Sequence, residues 1–117
     1  MTSTPESFVP LAPATLQILL ALSGEDLHGY GIMQEVRRQT DDRYNIGPGT
    51  LYDNLQRLES QGLVKESAAR RKGGDSRRKY YRLTSVGKRV LATEIDRLEG
   101  VVREARMRER RLRGSES

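Results

Sequence analysis

The chain of 117 residues predicts a mainly α-helical (α+β) domain: three short helices, a basic β-hairpin and one long C-terminal helix. Three observations carry that expectation. Apolar residues recur at helical spacing in separate segments of the chain. A Gly-Gly turn signal sits inside a run of arginine and lysine, between two short stretches suited to strands. The last apolar stripe runs on beyond what the body in front of it can cover. Two helices joined by a short linker and followed by a basic hairpin describe a winged helix-turn-helix, and the uncovered stripe calls for a second copy of the chain.

Residues 1–10 are rich in Ser, Thr and Pro and read as a flexible arm. The winged domain is expected over 11–84. It opens with "LAPATLQILLALS", whose leucines are too closely spaced for a one-sided helix, so this helix is buried on most sides and closed by Gly24. The second helix starts near Gly29 and stops around Thr40. Ile32, Met33 and Val36 lie on its inner face, and Arg37 and Arg38 lie at the end where the helix dipole favours cations.

The third helix begins "GPGT". Gly47 serves as N-cap and Pro48 takes the first helical position, where its missing N–H costs nothing. Leu51, Leu55 and Leu58 form its apolar stripe, with Thr50, Asp53, Asn54, Arg57 and Gln61 read as the opposite, polar face. Gly62 suits the left-handed conformation that ends a helix. Val64 begins one strand and "KYYRLT" is another, with "RRKGGDSRRK" as the tip of a two-stranded hairpin. From Ser85, the expected N-cap, the helical period returns through Val86, Val90, Leu91, Ile95, Leu98, Val101, Val102 and Ala105. This last helix covers 85–112 and is about 40 Å long at 1.5 Å per residue. Residues 113–117 read as a flexible tail. The interface with a second chain falls on Val90, Leu91, Ile95, Leu98, Val101, Val102 and Ala105.

Charge distribution says more than the net charge of +5. Residues 65–82 carry eight basic side chains against Glu66 and Asp75, and residues 103–113 carry six arginines against Glu104 and Glu109. The rest of the chain is net acidic. Two basic segments on an acidic body point to an anionic polymer or surface as partner. The chain has no cysteine, which excludes disulfides, thiolate metal sites and cysteine nucleophiles. No run approaches the roughly 18 apolar residues that span a bilayer, and the N-terminus lacks the pattern of a secretory signal. A cytoplasmic protein without membrane contact is the expectation. No Ser/His/Asp set and no cluster of metal ligands appears, so no enzyme, metal or cofactor is expected. His28, the single histidine, reads as a structural residue at the start of the second helix.

The glycines of "GPG" have a use in this architecture. The second helix of a helix-turn-helix presents its N-terminal turn to the DNA major groove, and backbone N–H groups there bind anions. Glycine at 47 and 49 keeps that approach open. Duplex DNA is therefore the expected partner. Along the helix, Gly49 admits the strand, and Thr50 and Asn54 reach base edges, Asn being suited to adenine. Arg57 meets phosphate or guanine, and Tyr52 offers its hydroxyl to phosphate while its ring packs on the domain. Asp53 stays open between a cytosine contact and holding Arg57. In the wing, Arg70, Arg71, Lys72, Arg77, Arg78 and Lys79 straddle the backbone, a contact that positions the protein without specifying sequence. The basic end, "VVREARMRERRLRG", reads as a solvated helix end rather than a second DNA or membrane contact. Two alternatives share the fold: an architectural DNA-binding protein without sequence preference, and an interaction module whose wing docks an acidic protein.

"LHGYGI" at 27–32, "GTLYDNLQRLESQGLV" at 49–64 and "RRKYYRLTSVGKRVL" at 77–91 resemble the PadR family of bacterial transcriptional regulators, in the right order and at the right spacing. The length resembles the small subgroup with a single C-terminal helix. His28, Gly29 and Tyr30 match the family's H-G-Y, and Gly49, Thr50, Leu51 and Tyr52 match its G-T-L-Y. Tyr80, Tyr81, Leu83, Thr84 and Gly87 match its Y-Y-x-L-T-x-x-G. Asp53 departs from the proline or small residue frequent there. The resemblance implies a homodimer built by the C-terminal helix with the first helix, binding an inverted repeat as a repressor. It also implies control by small aromatic or lipophilic effectors. With no tryptophan in the chain, a tryptophan sandwich is excluded. An aliphatic pocket of Leu16, Ile95 and Leu98 is what remains for such an effector.

Overall fold

The computed structural model describes residues 4–67 and 78–115. Helix α1 (Pro13–Leu22) begins with proline at its first position and buries Thr15, Ile18, Leu19, Ala21 and Leu22. A short strand β1 (Leu27–His28) leads directly into α2 (Gly29–Gln39). His28 caps that helix, its Nδ1 accepting the Gly31 N–H at 3.0 Å, so the structural role expected of the lone histidine is met by side-chain capping. At the other end the Thr40 hydroxyl donates to the Val36 carbonyl at 2.7 Å and accepts from the Tyr44 N–H at 3.2 Å. Asp41 and Asp42 turn the chain with φ of 56° and 60°.

Helix α3 (Pro48–Ser60) starts as its sequence implies. Gly47 is the N-cap, and its carbonyl accepts the Leu51 N–H at 3.0 Å. It ends in a Schellman motif: Gly62 has φ 76°, its N–H reaches Glu59 O, and the Leu63 N–H reaches Leu58 O. Strands β2 (Val64–Glu66) and β3 (Tyr80–Leu83) pair antiparallel, with Val64 opposite Leu83 and Glu66 opposite Tyr81. The sheet has three strands rather than two, in the order β1-β3-β2. Leu27 and His28 pair with Tyr81 and Tyr80. A strand of two residues has no periodicity to detect, and its partner lies some fifty positions away.

Helix α4 (Ser85–Ser115) is 31 residues long, about 46 Å. Thr84, not Ser85, is its cap: the Thr84 hydroxyl oxygen accepts the Gly87 N–H at 3.0 Å and donates to the Gly62 carbonyl at 2.6 Å. Gly87 has to be glycine for closeness, since a methyl there would overlap the Leu63 carbonyl oxygen. The helix continues through Ser115, so residues 113–115 are helical rather than a loose tail.

The core joins α1, α2, α3, the sheet and the first turns of α4 through Ile18, Leu19, Ile32, Val36, Leu51, Leu55, Leu58, Leu63, Val64 and Val90. The N-terminal segment departs from the flexible arm expected of it. Pro5–Phe8 forms a 3-10 turn against α4, Phe8 and Leu11 pack on the core, and the Leu11 N–H donates to Glu94 Oε2 at 2.8 Å. Glu94 is 0% exposed and its Oε1 accepts from Arg97 Nε at 2.5 Å. Burial of that carboxylate is tolerable because both oxygens are hydrogen-bonded, Oε1 to Arg97 Nε and Oε2 to the Leu11 N–H and Arg97 Nη2.

Candidate nucleic-acid interface

Helix α3 divides cleanly between core and solvent. Leu51, Asn54, Leu55 and Leu58 face inward, while Gly49, Thr50, Tyr52, Asp53 and Arg57 are exposed. Asn54 is the correction on this face. It is 6% exposed, its Oδ1 accepts the Thr15 hydroxyl at 2.7 Å, and its Nδ2 donates to the Thr50 carbonyl at 2.8 Å. An amide committed on both sides and buried against α1 does not reach a base edge. The spacing held the signal, because 54 falls at i+3 from Leu51 and four before Leu58, inside the apolar stripe.

The outward face keeps the other readers. Thr50, Asp53 and Arg57 follow one another at i, i+3 and i+7. Among the described residues no ion pair joins Asp53 to Arg57, so Asp53 does not hold the arginine in place. A Cβ at Gly47 or Gly49 would meet nothing within 4 Å. Packing therefore does not explain these glycines, and the first turn of α3 lies bare to solvent.

Tyr52 reaches sideways from α3. Its ring lies over the start of α2, where a methyl at Gly29 would overlap the Tyr52 hydroxyl. Next to it the base of the hairpin brings in Arg78, whose Nη1 is 3.0 Å from His28 Nε2, and the exposed Lys79. These groups line a pocket of about 400 Å³, bounded by His28, Gly29, Tyr30, Tyr52, Arg78, Lys79 and Tyr81. Burial, followed by the charge of Glu59, pushes the Tyr81 phenol up from its ordinary range. The contribution of Tyr30 and His28 to this rim went unseen in the sequence, since only the pairing of β1 with β3 places them there. Arg70, Arg71, Lys72 and Arg77 lie outside the described residues.

Helix α4 carries a second surface. Val90 is 0% and Leu91 5% exposed, both consumed by the chain's own core, so they leave the stripe assigned to a partner. From Ile95, 40% exposed, the helix passes beyond the body, and Val101, Val102, Ala105, Met107 and Leu112 all face solvent. Ile95, Leu98, Val102 and Ala105 alternate at three and four residues, the spacing of a helix–helix seam. An open apolar groove of about 460 Å³ lies along Ile95, Leu98, Glu99, Val102 and Arg103. Leu16 is not part of it. That side chain is partly buried against the core, so the aliphatic trio expected for an effector is not brought together. In the basic end, Arg108 pairs with Glu104 at 2.9 Å and Arg113 with Glu109 at 3.2 Å, contacts typical of a solvated helix face. Among the described residues no group of three or more His, Asp or Glu could hold a metal, and no helix is long and apolar enough to cross a membrane.

With this geometry in view, comparisons place the chain among known proteins. The model of the transcriptional regulator PadR-like family matches residues 18–93. The transcriptional regulator Rv3488 of Mycobacterium tuberculosis is 38% identical over 93 residues, covering 80% of this chain and 82% of that one. A PadR family transcription regulator of hypervirulent Clostridium difficile R20291 superposes with a TM-score of 0.65 at 32% identity, over 84% of this chain and 97% of the other. Bacillus subtilis PadR, solved in complex with operator DNA, shares the fold with a TM-score of 0.61 at 22% identity, over 74% of this chain and 48% of that one.

Proposed function

Because the chain belongs to the PadR-like family of transcriptional regulators, we propose that it acts in the cytoplasm as a homodimeric repressor reading an inverted-repeat operator in double-stranded DNA. One observation carries this reading: an exposed polar face on α3, opening at a bare first turn, stands beside a cationic hairpin base. The fold shared with a protein solved on operator DNA supports it.

Each exposed group has a task in this arrangement. Gly49 lets the sugar-phosphate strand approach, Thr50 reaches a base edge, and Arg57 takes guanine or phosphate. Asp53 has a cytosine amino group as its available acceptor role. Tyr52 touches the backbone. Arg78 and Lys79, with Arg70, Arg71, Lys72 and Arg77 ahead of them in the wing, hold the phosphates without reading sequence. The stripe Ile95, Leu98, Val101, Val102 and Ala105 is covered by the same stripe of a second chain, which sets the two α3 helices about one helical turn of DNA apart. The groove along Ile95, Leu98 and Val102 then lies at the junction of the two chains. A small lipophilic effector seated there would alter the separation of the two reading helices and release the operator. No catalytic step is assigned.

Fluorescence anisotropy of the purified protein tests the proposal, with duplex from its own upstream region and a shuffled duplex at two salt concentrations. At least tenfold preference for the native duplex, at two chains per site, is expected. Equal binding to both, weakened alike by salt, points instead to an architectural protein or an operator elsewhere. No binding to either favours a module that docks an acidic protein.

A further inference from the structure

The loop that enters β1 carries a carboxylate to the root of the hairpin. Asp26 stands one residue before the Leu27–Tyr81 pair. Its Oδ2 accepts the Ser67 hydroxyl at 2.5 Å, and its Oδ1 lies 3.7 Å from Arg82 Nε. Ser67 follows β2 and is the last described residue before the basic tip, and its N–H donates to the Tyr80 carbonyl at 2.7 Å. Asp26 therefore reaches from one edge of the sheet, across β3, to the end of the strand on the other edge. Three residues after it α2 begins, and Tyr52 of α3 lies over the first residue of that helix, Gly29. The carboxylate thus ties the point where the chain leaves for the wing to the frame that carries α3. By charge alone, an acid beside the cations of residues 65–82 opposes an approaching phosphate. Its place there calls for a different task.

We propose that Asp26 is a positioning residue for the wing, acting through Ser67 to hold the hairpin root where its cations meet the duplex. The proposal rests on the DNA-binding reading above and adds to it a residue that touches no nucleotide. With the root held, Arg78 and Lys79 reach phosphate while α3 occupies the major groove. With it released, the competent position is occupied only part of the time, and the apparent affinity falls by that fraction. Sequence preference lies on α3 and is unaffected, because wing contacts to phosphate carry no sequence information.

The sign of the effect separates positioning from charge. Asp26→Ala removes a negative charge and frees Arg82, which on electrostatics alone tightens binding to any duplex. Positioning predicts the reverse. Native and shuffled duplexes should both bind about threefold to tenfold more weakly, the range of one hydrogen bond, with their ratio unchanged. Ser67→Ala alters no charge and should give the same loss, and the double variant should be no weaker than either single change. Asp26→Asn keeps an acceptor for the Ser67 hydroxyl and should recover most of the affinity. In the absence of duplex, hydrogen exchange at the Ser67 amide should quicken in Asp26→Ala, as local opening at the root requires. Anisotropy titrations well below the melting temperature of every variant keep unfolding out of the comparison. Asp26→Ala binding as tightly as the parent or more so, or Ser67→Ala without effect, overturns the positioning role and leaves the DNA reading standing. A parent protein that binds neither duplex overturns both.

Discussion

The Thr15 hydroxyl donates to Asn54 Oδ1 at 2.7 Å, a buried hydrogen bond that fastens the reading helix α3 to α1. Asn54 is thus a stability residue. Asn54→Ala leaves the Thr15 hydroxyl without its acceptor and should lower the unfolding free energy by about 1–3 kcal/mol. Thr15→Val combined with Asn54→Leu removes both polar partners and should cost less than the two single changes added together. Urea denaturation of the four proteins measures the coupling. The preference of folded Asn54→Ala for native over shuffled duplex should stay that of the parent.

Thr50, exposed one position past Gly49, is expected to behave in the opposite way. Thr50→Ala should leave thermal stability within about 0.5 kcal/mol of the parent. It should reduce discrimination between native and shuffled duplex, the loss of one base contact being worth about 1–3 kcal/mol. A ratio unchanged in anisotropy titrations would remove Thr50 from the reading face.

Two glycines of α4 should respond with opposite sign to the same substitution. A methyl at Gly87 meets the backbone carbonyl of Leu63, which cannot step aside, whereas at Gly100 it meets nothing within 4 Å. Gly100→Ala should stabilise by up to about 1 kcal/mol through helix propensity. Gly87→Ala should destabilise by about 2 kcal/mol or more, since overpacking against backbone costs in that range. Differential scanning calorimetry under identical buffer compares the two midpoints.

Glu94 should give the fold an acid-sensitive latch. Its hydrogen bond to Arg97 holds the carboxyl below its ordinary value of 4.5, helped by the Leu11 N–H and opposed by burial. A folded-state value below the unfolded one means stability that is fully present above about pH 4.5. It is lost as pH falls through the lowered folded value, because the unfolded chain then binds the extra proton. Glu94→Gln should flatten the fall in stability below that pH and loosen the N-terminal segment held through Leu11. Denaturation at a series of pH values reads the first effect, and hydrogen exchange at the Leu11 amide reads the second.

Val102 is 51% exposed at the middle of the α4 stripe, in a position where a partner helix would seat it. Val102→Glu places a charge in that seam and should shift the protein to monomers in sedimentation at micromolar concentration, with the winged domain still folded. Weaker operator binding should accompany the shift, as one domain alone engages a single half-site. A parent protein that sediments as a monomer would remove the dimer from the proposal.

Much of this organisation was legible in the chain, and the readable parts share one property. Gly47, Pro48, Gly62 and the stripe Leu51, Leu55 and Leu58 act through local geometry, where a cap, a fixed φ or a helical period is complete within a few residues. Where local signals competed, the reading slipped by one residue: Thr84 rather than Ser85 caps α4, because the hydroxyl that meets both Gly87 and Gly62 decides the start. The N-terminal segment looked loose by composition. Leu11 and Phe8 dock it through contacts with residues far along the chain, which no local rule anticipates.

By itself the sequence determined the winged helix-turn-helix order, the limits of α2 and α3, the two strands β2 and β3 and a last helix longer than its support. Periodicity, capping and charge are properties of short stretches, and they survive translation into three dimensions. Tertiary structure alone decided that Asn54 turns to Thr15, that Val90 and Leu91 belong to the core while Ile95 and Val102 do not, and that His28 meets Arg78. Those outcomes depend on which element lies across each face. The approach of α1 to α3 and the pairing of β1 with β3 fix that, and both are contacts between segments distant in sequence.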